Sequence, residues 1–132
     1  MSDSEKITIN VGPVDLGRVD VLVDQGLYAN RTDLIRTAIR NLLDRHEPVI
    51  ANVARKWAFT IGAQHVSRKE LEELREEGKR LVVRVLGSLT IAKDVDPDLA
   101  RDVIDSISVF GSFRAPAEVR RAIEDRLRSG PS

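Results

Sequence analysis

A lone strand pattern at the start of the chain constrains the fold more than any other feature. Residues 6–11 read Lys-Ile-Thr-Ile-Asn-Val, and this strict alternation of polar and apolar side chains is the period of a half-buried β-strand. Gly12 and Pro13 end the segment, and the pattern that follows is helical. A single strand leaves its backbone hydrogen-bonding groups without partners. This strand therefore needs a second strand from elsewhere.

Two amphipathic helices are predicted after the strand. The first runs from Pro13 to about Gln25 and stops at Gly26, and the second starts at a cap formed by Asn30 or Thr32. The second helix has an apolar stripe formed by Leu34, Ile35, Ala38, Ile39, Leu42 and Leu43. The two helices carry too few apolar residues to close a core alone. If two copies pair their strands antiparallel and interleave their helices, each strand gains a partner and the apolar residues of both copies can form one core. The sequence therefore predicts a homodimer.

Strand pairing places Lys6, Thr8 and Asn10 of both copies on one polar face. A two-stranded ribbon fits the major groove of B-DNA, where lysine, threonine and asparagine side chains can contact base edges. The sequence therefore predicts that these three residues contact bases of double-stranded DNA. The alternative is a solvated strand face in a module that only dimerises.

The start of the second helix is a candidate phosphate site. Free backbone N–H groups around Asn30, Arg31 and Thr32, at the positive end of the helix dipole, can hold a phosphate. Such contacts fix the register on DNA without reading its sequence. For Arg31 the alternative is a surface ion pair with an acid such as Asp33.

The stretch from Lys6 to Arg45 resembles a ribbon-helix-helix domain of the CopG/Arc/MetJ class of DNA-binding transcriptional regulators. The marks of the resemblance are the alternating strand, the proline, Gly26-Leu27-Tyr28, and Asn30-Arg31-Thr32-Asp33 before the sequence LIRTAIR. Asp33 stands where the family usually has glutamate. The resemblance implies base reading by the three polar strand residues and phosphate anchoring at Asn30 and Arg31.

Composition and charge bear on which other classes of function this chain can have. The chain has 21 basic and 21 acidic residues, and residues 1–47 hold six basic and eight acidic ones, a net charge of −2. DNA binding must therefore depend on the positions of the charged residues and not on the net charge. No cysteine is present, and His46 and His65 alone are a weak basis for a metal site, so we expect no metal and no cofactor. No nucleophile–base spacing indicates an enzyme. Without a signal peptide or an apolar run of about 18 residues, we expect a cytoplasmic protein with no membrane partner.

The C-terminal half contains an internal repeat. Residues 85–89 (Val-Leu-Gly-Ser-Leu) match residues 109–113 (Val-Phe-Gly-Ser-Phe) at an offset of 24 residues, and a proline-led helical stretch follows each. A strand at 58–66, with a helix capped by Ser67, is a degenerate first unit. Strand–helix units in series predict parallel strands, and the short period suggests a solenoid-like stack. We interpret each Gly-Ser pair as a bend or a close contact between units; the alternative is an anion cradle.

The predicted fold class is α+β, in three segments. Residues 1–47 form the ribbon-helix-helix DNA-binding and dimerisation domain, 48–57 a helical connector, and 58–132 a small β/α-repeat domain for oligomerisation or effector sensing. The predicted function is a transcriptional regulator, a repressor, that forms a dimer and, through its C-terminal domain, a tetramer or larger assembly. The alternatives are the antitoxin of a toxin–antitoxin pair and an architectural or assembly protein that binds DNA.

Overall fold

A computed structural model describes residues 4–128 of the chain. The chain divides into two compact units, Met1–Ala51 and Asn52–Ser132. The boundary falls within a helix, inside the segment predicted as the connector. Among the described residues, no helix has the length and apolar character that crossing a bilayer requires.

The first unit is helical. Helix α1 spans Pro13–Asp24, α2 spans Arg31–Arg45, and α3 begins at Glu47 and runs to Lys56 into the second unit. Pro48 lies in the first turn of α3, where its missing N–H costs no hydrogen bond. Residues 4–12 belong to no helix or strand of the single chain. The strand predicted at 6–11 requires a second chain as its partner, so it stays a prediction.

Helix starts and stops follow the predicted capping residues. Gly26 has a φ of +83° and ends the turn after α1, as expected for a residue without a Cβ. The Asn30 side chain caps α2 by accepting from the backbone N–H of Asp33. In the second unit, Ser67 and Asp96 cap the helices that follow them in the same way. The helix stop predicted at Gly26 and the caps predicted at Asn30 and Ser67 are confirmed.

The second unit is a parallel β-sheet with helical connections. Its elements are β1 (Thr60–Val66), α4 (Arg68–Glu76), β2 (Leu81–Ile91), α5 (Pro97–Val103), β3 (Ile104–Arg114), α6 (Ala117–Ala122), the 3-10 helix Glu124–Arg126 and β4 (Leu127–Arg128). The strands lie in the order β1-β2-β3-β4, and all neighbours are parallel. Sheet order equals chain order, because each helix carries the chain to the adjacent strand. The predicted parallel strand–helix units are confirmed.

The core of this unit lies on one face of the sheet. Leu71 of α4, Leu99 of α5 and Val119 of α6 belong to the same buried cluster as Val83 and Leu89 of β2. Since all three helices contribute to this cluster, they cover the same face of the sheet. The other face of the sheet is opposite the helices.

A row of glycines crosses the sheet where the repeat was recognised. Gly62, Gly87 and Gly111 are register partners in three adjacent strands, with φ values of +124°, +140° and +124°. A Cβ at Gly87 would lie 2.1 Å from the carbonyl oxygen of Gly62, and one at Gly111 equally close to the oxygen of Gly87. All three positions have a backbone conformation that favours glycine, and at Gly87 and Gly111 the neighbouring strand is also too close for any other residue. The close-contact interpretation of the glycines in the repeat is thus the one that the structure supports.

Candidate nucleic-acid interface

The segment that carries the predicted base-contacting residues is exposed on both of its faces. Lys6, Thr8 and Asn10 are all exposed, and so are Ile7 and Ile9, which alternate with them. Two isoleucines exposed to solvent next to three polar side chains are unusual for a segment that has no binding partner, because burial of each isoleucine side chain is worth about 2 kcal/mol. The structure places the three polar residues on one short segment, and their role in base contact stays a prediction.

The helices of the first unit leave their apolar stripe uncovered. No side chain among residues 4–51 is buried. In α2, the exposed fractions of Ile35, Ile39, Leu42 and Leu43 lie between 42% and 52%. Two helices of one chain therefore do not make a core, as the count of apolar residues predicted.

Asn30 and Asp33 together build the start of α2. Asn30 Oδ1 accepts a hydrogen bond from the N–H of Asp33 at 2.8 Å, and Asp33 Oδ2 accepts from the N–H of Ala29 at 2.9 Å. This reciprocal cap fixes the chain that enters the helix. The N–H groups of Arg31 and Thr32 have no acceptor within residues 4–128. They are the free donors at the positive end of the α2 dipole that an anion could use.

Arg31 makes a bidentate ion pair across the first unit. Its Nε and Nη2 donate to Oδ1 and Oδ2 of Asp20 in α1, both at 2.8 Å. The sequence offered a surface ion pair of Arg31 with an acid such as Asp33 as the alternative to phosphate contact. The ion pair is present, but its acid is Asp20, because the Asp33 carboxylate is used in the helix cap. Asp20 lies 11 residues from Arg31 in the sequence, so local spacing did not indicate this pair. The sequence does place Asp20 on the third turn of a predicted helix.

The ion pair shifts both groups toward their charged forms. The hydrogen bond from Arg31 lowers the pKa of Asp20 below the usual aspartate value, and the same bond raises the pKa of Arg31. Both side chains are about half exposed, so solvent screens the attraction. The Arg31 guanidinium thus has an acidic partner in the free protein, and a phosphate would have to compete with Asp20 or share Arg31 with it.

The described part of the chain offers no competing metal centre. Within residues 4–128, no three histidine, aspartate or glutamate side chains lie close enough together to hold a metal ion. His46 follows α2 in the first unit and His65 lies on β1 in the second.

Comparisons with known proteins identify the family of this chain and one relative. The ribbon-helix-helix transcriptional regulator family matches residues 2–120, which include nearly all of the sheet as well as the N-terminal unit. The transcriptional regulator CdrS of Halobacterium salinarum is 30% identical over 54 residues, which are 41% of this chain and 94% of that protein. No solved structure matches the chain significantly.

The family match extends beyond the third of the chain that carried the resemblance in the sequence. The resemblance was drawn from residues 6–45 alone, whereas the match continues through the repeat to residue 120. The chain belongs to the ribbon-helix-helix transcriptional regulator family, a class of regulators that act by binding DNA.

Proposed function

We propose that the protein is a homodimeric, sequence-specific repressor of transcription. Residues 6–11 of two copies pair as an antiparallel ribbon, and this ribbon enters the major groove. Lys6, Thr8 and Asn10 of each copy contact base edges there, while the start of α2 holds the flanking phosphates through Asn30, Arg31 and Thr32. This last group includes two free backbone N–H donors.

The observation that carries the proposal is the absence of a core in the N-terminal unit. No side chain of residues 4–51 is buried, yet α2 presents four half-exposed aliphatic side chains in a continuous stripe. Covering each of these side chains with a second copy would contribute roughly 1 kcal/mol. A second copy also supplies the partner strand for residues 6–11. One association event therefore satisfies both the apolar stripe and the strand.

The C-terminal unit favours a regulator over an antitoxin. Antitoxins of this kind bind their toxins with a disordered tail that folds on contact. Here α4, α5 and α6 share a buried cluster with the sheet, so this part of the chain has a core of its own. We interpret it as a solenoid-like domain for oligomerisation, effector sensing or architectural stacking. A toxin that co-purifies with the full chain would reverse this ranking.

The test first identifies the DNA sequence that the protein binds and then replaces the three polar side chains of the ribbon by alanine. Sequencing of the duplexes retained by the purified protein would yield a site, which should shift with an affinity that falls steeply as salt rises. The variant K6A/T8A/N10A should lose the preference for this site over random DNA and should remain a dimer in sedimentation. The control variant K93A removes one exposed lysine elsewhere and should bind normally. Retained preference in the triple variant, or a monomeric parent protein at micromolar concentration, would contradict the proposal.

A further inference from the structure

The face of the sheet opposite the helices has a distinctive charge. We name it the open face and define it as the outward side-chain positions of residues 60–66, 82–91 and 106–114, with Arg128. Its orientation follows from β2, where Val83, Val85, Leu89 and Ile91 are buried under the helices and the residues between them point the other way. Strand register carries the same alternation into β1, β3 and β4.

The open face is basic and carries no acid. The three strand segments that define it contain no aspartate or glutamate, although residues 52–128 hold 13 of these acids. Its charged residues are Arg84, Arg114 and Arg128. The acid nearest in sequence, Asp105, lies at the β-bulge where β3 begins, and it pairs with Arg80 at 3.5 Å. Apart from Asp105, the acids of this unit lie on the helices and loops, so most of its negative charge lies away from the open face.

Two of the arginines are placed as a pair across the sheet. Arg84 on β2 and Arg128 on β4 are the register partners on either side of Ser108 in β3. Two strand spacings separate their Cα atoms by about 10 Å. Neither guanidinium has an ion-pair or hydrogen-bond partner within residues 4–128. Serine and threonine hydroxyls at Ser88 and Thr90 add polar groups of the kind that contact phosphates.

The N-terminal unit lacks the positive charge that DNA affinity requires. Residues 1–47 have a net charge of −2, and Arg31 is already paired with Asp20. The salt-dependent part of DNA binding comes from cationic side chains that displace the counterions of phosphates. Cations outside the N-terminal unit would add to this part of the affinity, and on the open face they lie without acids between them.

A second copy of the chain is a poorer match for the open face. Face-to-face packing would bring Arg84 and Arg128 of both copies into an interface that contains no carboxylate, and buried unpaired charges are costly. The apolar part of the face is only partly covered: the Phe110 ring packs against Phe59 with centroids 5.4 Å apart and stays 41% exposed, and Ile61 and Val82 are 65% and 47% exposed. The unpaired arginines, rather than the apolar area, therefore argue against a second copy. The contact between the two phenylalanine rings leaves less aromatic surface for stacking on unpaired bases, so the face suits the phosphate backbone of a duplex.

We propose that the open face of the sheet binds the sugar–phosphate backbone of double-stranded DNA through Arg84 and Arg128. This inference rests on the proposed function, since it concerns the same DNA that the ribbon reads. The ribbon supplies sequence preference, and the open face supplies affinity without preference. Two faces and one ribbon in a dimer bind the same duplex with a higher effective concentration than either alone.

The experiment measures the salt dependence of binding to a random-sequence duplex with the full chain. The variant R84Q/R128Q should bind at least about tenfold more weakly at low salt, and its plot of log affinity against log salt should be shallower by about one unit per lost contact. The matched control is the double variant R121Q/K93Q, which also removes two positive charges, one from α6 and one from a loop. Its slope of log affinity against log salt should be unchanged. The variant R84K/R128K keeps the charges and should also keep the slope.

The outcomes separate this inference from the proposed function. An unchanged slope in R84Q/R128Q, with site preference still lost in K6A/T8A/N10A, overturns the inference alone. An equal loss in the R121Q/K93Q control also overturns it, because net charge then explains the effect. A change in sedimentation with an unchanged slope assigns the face to a second copy instead. If R84Q/R128Q does not fold, R128Q alone, which changes an exposed side chain, should still lower the slope by about one unit per chain.

Discussion

Replacing Gly87 by alanine tests the close contact between strands directly. Gly87 has a φ of +140°, and its Cβ would lie 2.1 Å from the backbone oxygen of Gly62 in the next strand. Gly62 is a natural control, because its φ of +124° is similar but an added Cβ would meet no atom within 4 Å. The G62A variant therefore carries the backbone strain alone, whereas G87A carries the strain and the clash.

The two variants should differ by roughly the cost of the clash. A residue held in a backbone region that excludes side chains costs about 2 kcal/mol. Forcing a methyl group against a neighbour that cannot move costs about 2 kcal/mol more, since the contacted atom is a backbone oxygen inside the sheet. The gain from a stiffer unfolded chain is the same in both variants and cancels in the comparison. For a unit of this size, each kcal/mol lowers the Tm by about 4–8 °C.

Thermal unfolding followed by the fluorescence of the single tryptophan, Trp57, gives the measurement, since this residue lies in the same unit as the sheet. We expect the Tm to fall by about 10 °C in G62A and by about twice as much in G87A. The unit could also fail to fold in G87A, which is the same result in a stronger form. Equal Tm values for the two variants would refute the reasoning, because the approach of the Gly62 oxygen would then carry no cost.

Two further predictions concern the start of α2. The N30A variant should lower the stability of the assembled N-terminal unit by about 1 kcal/mol in denaturant unfolding, because the N–H of Asp33 loses its acceptor; N30D should restore it. The pKa of Asp20 is lowered by Arg31, so the ion pair stabilises the unit above the usual aspartate range and is lost as the pH falls below about 4. The D20N variant should therefore have a lower Tm than the parent at pH 7 and should approach it in acid. An unchanged gap between the two Tm values across this range would contradict the role of the ion pair.

Local chemistry made most of the secondary structure predictable. Caps need only a side-chain oxygen a few residues from an N–H, so Asn30, Ser67 and Asp96 could be identified from the sequence. The offset of the repeat predicted parallel strands, because a helix between two strands returns the chain to the same end of the sheet. The register of Gly87 with Gly111 was implicit in that offset.

Contacts between distant residues were not predictable in the same way. The pairing of Arg31 with Asp20 depends on how α1 and α2 approach each other, and periodicity does not determine that approach. The strand β4 has only two residues, Leu127 and Arg128, which is too short for an alternation to be recognised. The basic character of the open face required the register of four strands, since Arg128 is 44 residues from Arg84 in the chain.

The aligned glycines determine where residues can be inserted into or deleted from this chain. Gly62 and Gly87 are 25 residues apart and Gly87 and Gly111 are 24 apart, yet all three stay in register. The connections between strands, together with the bulge at Asp105 where β3 begins, therefore absorb differences in length without disturbing the register of the glycines. A deletion within a strand would instead set a side chain opposite a neighbouring carbonyl oxygen. Insertions found among relatives should thus fall in the helices and loops, and the strands should keep constant spacing around each glycine.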